Sequence, residues 1–278
     1  MKKIKLLAFY AITLAITFSC QKKEVTEEIQ EIIYEPTKEQ LDKLFSMGVN
    51  IDDVSIEEIT TLDGKTSKYL VSGDILVPIS DLDSYPELKS LDGNDKQYRD
   101  VNIVSPNYRD IDILGYTGGS FALTSKMQTA LRWAVNNYNA LPNSLNFNLT
   151  FGTNYGPADI VVYKIDVAGG GGNAGFPNTL GQPYKWVRIN SGTDAFTTNV
   201  NEHVIGHEIG HCLGLRHQDW YNRQSCGYSG PLPAEPPAIW IPGTPISPNA
   251  DSLMLACFGA SEDGEFTDTD KTALNILY

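Results

Sequence analysis

All four histidines of this 278-residue chain fall in one run, His203-Val204-Ile205-Gly206-His207-Glu208-Ile209-Gly210-His211-Cys212-Leu213-Gly214-Leu215-Arg216-His217. On an α-helix, residues four apart project from one face with about 6 Å of rise between them, so His207 and His211 can converge on one metal ion. His217 cannot join them on a straight helix, because about 15 Å of rise would separate it from His207. The chain must turn back after His211, and Gly214 can take the left-handed conformation that turns it. Three neutral imidazoles leave a zinc ion one open position for water, lower the pKa of that water toward about 7 and polarise a scissile carbonyl. Glu208 sits about 100° around the helix from His207, bordering the ion without being a ligand, where a general base belongs. The expected site is therefore one Zn2+ per chain on His207, His211 and His217, with Glu208 as the catalytic residue. His203 shares their face but lies about 12 Å of rise from His211, so a structural or outer role is expected. The bland alternative, ordinary surface or core histidines, has to explain the third histidine and the glycine at the turn by coincidence.

The elements that must carry this site follow from periodicity. A helix from about Thr198 to Leu213 bears the motif. A second, Thr124 to Tyr138, puts Met127, Leu131, Ala134, Val135 and Tyr138 on one face. Strands are expected at Asp110 to Tyr116, Leu145 to Phe151, Ala158 to Tyr163 and Lys185 to Asn190. A last helix is expected at Thr267 to Leu277, opened by Thr267 and Asp268. The glycine run 169–172 lacks the Lys and following helix of a phosphate cradle and reads as a flexible loop. Pro231 to Pro248 reads as too proline-dense for regular structure. Upstream, Thr37 to Met47 predicts a capped helix ended by Gly48, and Ser67 to Ser72 and Asp74 to Ile79 predict strands. The polar stretch Lys89 to Asp100 is the candidate linker and activation boundary, with Lys96 and Arg99 as accessible basic sites.

The pattern H-E-x-x-H-x-x-G-x-x-H resembles the metzincin signature, and Asp251-Ser252-Leu253-Met254-Leu255 resembles the Met-turn that follows it. Within that group, His207-Glu208-Ile209-Gly210-His211 together with the N-terminal half-chain is similar to the bacterial dual-action HEIGH metallopeptidases. The resemblance implies an α+β fold: a metzincin-like catalytic domain at 101–278, with a twisted mixed β-sheet, two long helices and Met254 beneath the imidazoles. A small α/β propeptide-like unit at 37–100 precedes it. Two departures stand out. Ala256 occupies the place of the Tyr that astacin-like and serralysin-like enzymes have two residues after the Met, which leaves oxyanion stabilisation mainly to zinc. Gln218, after the third ligand, does not match those subfamilies.

The N-terminus reads as an export signal. Lys2, Lys3 and Lys5 precede an apolar stretch, Leu6 to Phe18, too short to span a bilayer comfortably. Cys20 follows a small residue, as in the lipobox of bacterial lipoproteins. The expected organisation is a signal peptide at 1–19, then a Glu-rich tether at 20–36 lipidated on Cys20. The expected location is the bacterial cell envelope, with membrane attachment through Cys20, or the outside after processing. An ordinary cleavable signal is the alternative. Of the remaining cysteines, Cys212, Cys226 and Cys257, the candidate disulfide is Cys226 with Cys257, in loop-rich sequence after the motif helix.

Net charge is −13, and residues 21–100 carry 19 acids against 9 bases. Without a basic stripe, nucleic acid is not an expected partner. The expected partner is a polypeptide substrate laid along an edge strand near Asn173 to Pro177 and cleaved as by an endopeptidase. The rivals are a zinc-retaining binding or adhesion module without turnover, and an aminopeptidase with Glu235 as third ligand. The proline-rich context of Glu235 argues against the second. Latency has a candidate ligand. Val71-Ser72-Gly73-Asp74 resembles the F-x-G-D stretch by which astacin propeptides place a carboxylate on zinc; the alternative is that Gly73 and Asp74 only turn the chain between two strands.

Overall fold

The computed structural model describes residues 34–87, 98–219, 223–228, 239–244 and 249–278. The expected signal peptide, Cys20, Lys96 and Glu235 lie outside the described residues.

The chain first builds a small α/β layer. Helix α1 (Lys38–Ser46) opens with a capping box in which the Thr37 hydroxyl accepts from the Gln40 amide and the Gln40 side chain accepts from the Thr37 amide. An antiparallel meander follows, β1 (Val54–Thr60), β2 (Thr66–Ser72) and β3 (Ile75–Pro78). The helix and meander bury Leu44, Leu70, Val77 and Leu82 in a core of their own, which also takes in Phe176 from the later part of the chain. Strand β1 escapes sequence reading because Ser55, Glu57, Glu58 and Thr60 all face solvent, leaving little apolar alternation to detect.

The main sheet comprises β5 (Asp110–Tyr116), β6 (Asn146–Gly152), β7 (Ile160–Ile165), β8 (Gly172–Asn173) and β9 (Trp186–Asn190), preceded in the chain by a short β4 (Tyr98–Arg99) that lies outside it. Its order is β6-β5-β7-β9-β8; the first four strands are parallel and β8 runs antiparallel at the edge. Parallel strands are covered on both faces, which is why Ile160 to Tyr163 is a continuous buried run. One face packs on α2 (Ser125–Asn139) and α3 (Thr198–Leu213), which lie against each other where the Tyr138 hydroxyl donates to the Gly206 carbonyl at 2.8 Å. The other face carries Tyr163, Trp186 and Tyr155, with Leu62 from the upstream layer against them. Helix α4 (Asp268–Leu277) closes the chain, and its Ala273 and Leu274 enter the main core. The molecule is thus an α+β protein with a mixed sheet.

Two expectations are corrected. The proline-rich segment contains β10 (Ile239–Trp240), which pairs antiparallel with β4; the four residues between Pro237 and Pro242 suffice for a two-residue ladder. Arg99 is not an accessible linker residue, because β4 also bridges Leu215 and the Arg99 guanidinium donates to the Asp100 and Val101 carbonyls. Among the described residues no helix is long and apolar enough to cross a membrane.

Candidate metal centre

Helix α3 starts where the Thr197 hydroxyl accepts from the Val200 amide at 3.2 Å, and it is buried from Val200 to Leu213. A helix buried all round can bring side chains to a site only if its neighbours come close, and its two interior glycines allow this. A Cβ at Gly210 would stand 2.6 Å from the Met254 sulfur, and one at Gly206 would touch Leu253 and Ala134. Met254 thereby lies directly beneath the His207–His211 turn, itself 3% exposed.

The helix stops at Gly214, which has φ 100 and ψ 11, and its amide donates to the His211 carbonyl at 2.9 Å. A Cβ there would lie 2.5 Å from the Asn102 carbonyl oxygen, so both the left-handed turn and the close approach require glycine. Beyond it the chain is strapped by β4: the Asp100 amide donates to the Gly214 carbonyl at 2.8 Å and the Arg216 amide to the Tyr98 carbonyl at 3.0 Å. This strap delivers His217.

The three imidazoles converge through Nε2, with separations of 3.0 Å for His207–His211 and 3.2 Å for the two pairs with His217. His207 Nδ1 lies 2.7 Å from the Leu253 carbonyl and His211 Nδ1 2.8 Å from the Leu215 carbonyl. Carbonyls can only accept, so both rings carry their proton on Nδ1 and present an Nε2 lone pair inward. Lone pairs facing one another at hydrogen-bond distance have no proton to share; a cation between them resolves the arrangement. Asp74 completes it, with Oδ2 at 3.1, 3.8 and 3.0 Å from the Nε2 atoms of His207, His211 and His217. Tetrahedral ligand bonds of about 2.0–2.1 Å imply edges of about 3.3–3.4 Å, close to these separations. The four residues form a cluster able to hold a metal ion.

Electrostatics agree with the crowding. Burial, together with the neighbouring imidazoles of His207 and His217, outweighs the help of Asp74 and pushes His211 down to about 4. Burial raises the Asp74 carboxyl, but the surrounding imidazoles, His217 foremost and then His207 and His211, hold it well below the usual carboxylate range. Burial, then the nearby Asp74 charge, pushes Glu208 well above its ordinary value. Glu208 is 2% exposed, and among the described residues its Oε2 has no hydrogen-bond partner. It is packed against edge strand β8, where a Cβ at Gly172 would stand 3.0 Å from its Oε1. His203 lies one turn before His207 with its ring stacked at 6.4 Å, away from the converging Nε2 atoms, and burial pushes it down to about 3.

Asp74 arrives by β-pairing. Its carbonyl accepts from the Ala174 amide at 3.0 Å, the Leu76 amide donates to the Ala174 carbonyl at 2.7 Å, and Ile75 bridges Ala174 in parallel. The segment around Asp74 therefore occupies the sheet edge beside β8. Gly73 and Asp74 also form the turn between β2 and β3, with Gly73 at φ 62, so the two sequence readings of this dipeptide describe one structure. Beside the cluster a cavity of about 360 Å³ is lined by Gly172, His203, Val204, Glu208, Leu255 and Phe258.

Cys226 and Cys257 form a disulfide, and Cys212 is a buried free thiol. Two buried carboxylates that sequence reading does not single out fix the surrounding loops. Asp219 accepts from the Ala256 amide and from the Ser225 amide and hydroxyl. Asp270 accepts from Ser252, Leu253 and Thr267. The capping pattern Thr267 to Asp270 was the only signal for the second, and it points to a helix start rather than to the site.

A family model described as dual-action HEIGH metallo-peptidase matches residues 70–278. No curated protein matches the sequence. Among solved structures, one of myroilysin aligns at 13% identity and TM-score 0.39 over 61% of this chain and 79% of its own. A second of myroilysin aligns at 15% identity and TM-score 0.37 over 61% and 82%.

Proposed function

Since the chain belongs to the dual-action HEIGH metallopeptidase family, we propose that it is a zinc-dependent endopeptidase held latent by its own upstream layer. The observation that carries the reading is the convergence of three imidazole Nε2 atoms and the Asp74 carboxylate on one point. His207, His211 and His217 hold the ion in this reading. When bound, zinc supplies Lewis acidity, bringing the pKa of a water it carries toward about 7 and polarising the carbonyl to be cleaved. Glu208 takes the proton from the attacking water and returns it to the leaving amine. Its unpartnered oxygen beside the edge strand supports that role, because a buried carboxylate without a partner is costly unless it has a task. A substrate lies along the Gly172–Ala174 edge as an added strand, with one side chain in the adjoining cavity.

In the latent state Asp74 takes the position that water needs, and residues 74–76 take the edge that substrate needs. Reading residues 37–100 as a prosegment accounts for both at once. Export by a signal peptide and anchorage through a lipidated Cys20 complete the proposal on sequence grounds.

The rival, a zinc-retaining binding module without turnover, gives Glu208 no function. The deciding experiment is cleavage of an unfolded protein such as casein by the activated enzyme, with and without a chelator, alongside Glu208→Ala. Chelator-sensitive cleavage, lost in the variant while metal is retained, supports the peptidase. Metal retention without any cleavage by the activated parent would leave the binding module.

A further inference from the structure

The metal-facing residues do not explain why Asp270, in the first turn of the C-terminal helix, is buried to 2% exposure with five hydrogen-bond donors around it among the described residues. Its Oδ2 accepts from the Thr267 amide at 3.0 Å, the Thr267 hydroxyl at 2.7 Å and the Leu253 amide at 3.2 Å. Its Oδ1 accepts from the Ser252 hydroxyl at 2.6 Å and the Gln218 side-chain amide at 3.3 Å. The Thr267 bonds are an ordinary capping box. The other three reach the residue after His217 and the turn that touches His207.

The chain of bonds can be followed atom by atom. Having given its proton to Asp270, the Ser252 hydroxyl accepts from the Met254 amide at 3.1 Å. That amide belongs to the Leu253–Met254 peptide, whose carbonyl oxygen lies 2.7 Å from His207 Nδ1. A carboxylate pulling on the hydroxyl makes its oxygen a better acceptor, polarises the peptide and leaves the carbonyl more negative. His207 then holds its proton on Nδ1 more firmly and offers a more basic Nε2 to the ion.

We infer that Asp270 is a positioning residue for the metal centre, acting on His207 through Ser252 and the Leu253–Met254 peptide. The inference rests on the metallopeptidase reading above. It gives α4 a function beyond closing the core: it brings a negative charge to the outer side of the first ligand.

The test uses the full chain loaded with zinc and three variants. Asp270→Asn keeps the size but cannot accept from both groups of donors. Ser252→Ala cuts the path and leaves Asp270 in place. Thr267→Val removes the capping hydroxyl, weakens the helix start and leaves the path intact. Zinc affinity is measured by competition with a chromophoric chelator, and the His207 Nδ1 proton is followed by NMR of histidine-labelled protein. The first two variants should lose about 10- to 100-fold in affinity and shift the His207 Nδ1 proton, whereas Thr267→Val should lower the melting temperature and keep affinity within about two-fold of the parent. Parent-like affinity and an unmoved proton in Ser252→Ala, or an equal affinity loss in Thr267→Val, would overturn the assignment. A parent that binds no zinc is a different failure, that of the metal centre itself.

Discussion

Asp74 Oδ2 stands 3.0 Å from His217 Nε2, although 143 residues separate the two in sequence. Neither the helix nor the turn that makes the histidine cluster depends on Asp74; it comes in on the edge of the sheet, as a peptide substrate would. It is therefore the group whose removal should alter function with the least damage to the fold. Asp74→Ala should give a full-length chain that retains metal and either cleaves casein before processing or processes itself faster than the parent. Continued latency, with metal bound and melting unchanged, would remove Asp74 from the role of switch.

His203 and His217 separate the helical face from the metal set. His217→Ala should lose bound zinc and with it the stability that binding confers, which is about 2.7 kcal/mol for an ion at a hundred times its dissociation constant. His203→Ala should keep stoichiometric zinc, because its ring lies beyond His207. Metal analysis after dialysis checks both, and equal loss in the two variants would contradict the three-histidine set.

Gly214→Ala should be damaging out of proportion to one methyl group. The left-handed conformation alone costs an alanine about 1–2 kcal/mol, and the added carbon would press on the Asn102 carbonyl. Since this turn aims His217, chemical denaturation should show lower stability and chelator competition weaker zinc retention. A variant with parent-like values in both would mean that the turn can be made another way.

Glu202 sets a pH dependence away from the cluster. Burial, then the charges of Glu265 and Asp263, raises it from 4.5 to about 7, while the Asn137 amide only partly compensates. The folded chain then holds a proton between about pH 4.5 and 7 that the unfolded chain has released, so stability falls as pH rises through that window. Glu202→Gln keeps the shape and removes the penalty. It should be more stable than the parent at pH 7 by about 1–3 kcal/mol and converge with it near pH 4.5. Comparing the two proteins at each pH cancels the titration of the imidazoles. A difference that does not grow with pH would show that Glu202 is solvated.

The sequence by itself determined the parts whose physics is local. Four-residue spacing on a helix puts His207 and His211 on one face, and the glycine at 214 announces where the helix must end. Strongly periodic segments such as α2 and buried runs such as β7 were legible for the same reason: their side-chain pattern repeats the geometry of the backbone. The tertiary structure alone decided what depends on pairing between distant segments. Two-residue ladders such as β4 with β10 carry no pattern long enough to read, yet β4 straps the turn that delivers His217. Asp270 looks like a helix cap until the fold lays Ser252 against it. Asp74 is the sharpest case, because a Gly-Asp dipeptide between strands is sufficient to make a turn. Only the register of β3 against Ala174 sets its carboxylate among three imidazoles, and register comes from long-range packing rather than from any local run of residues.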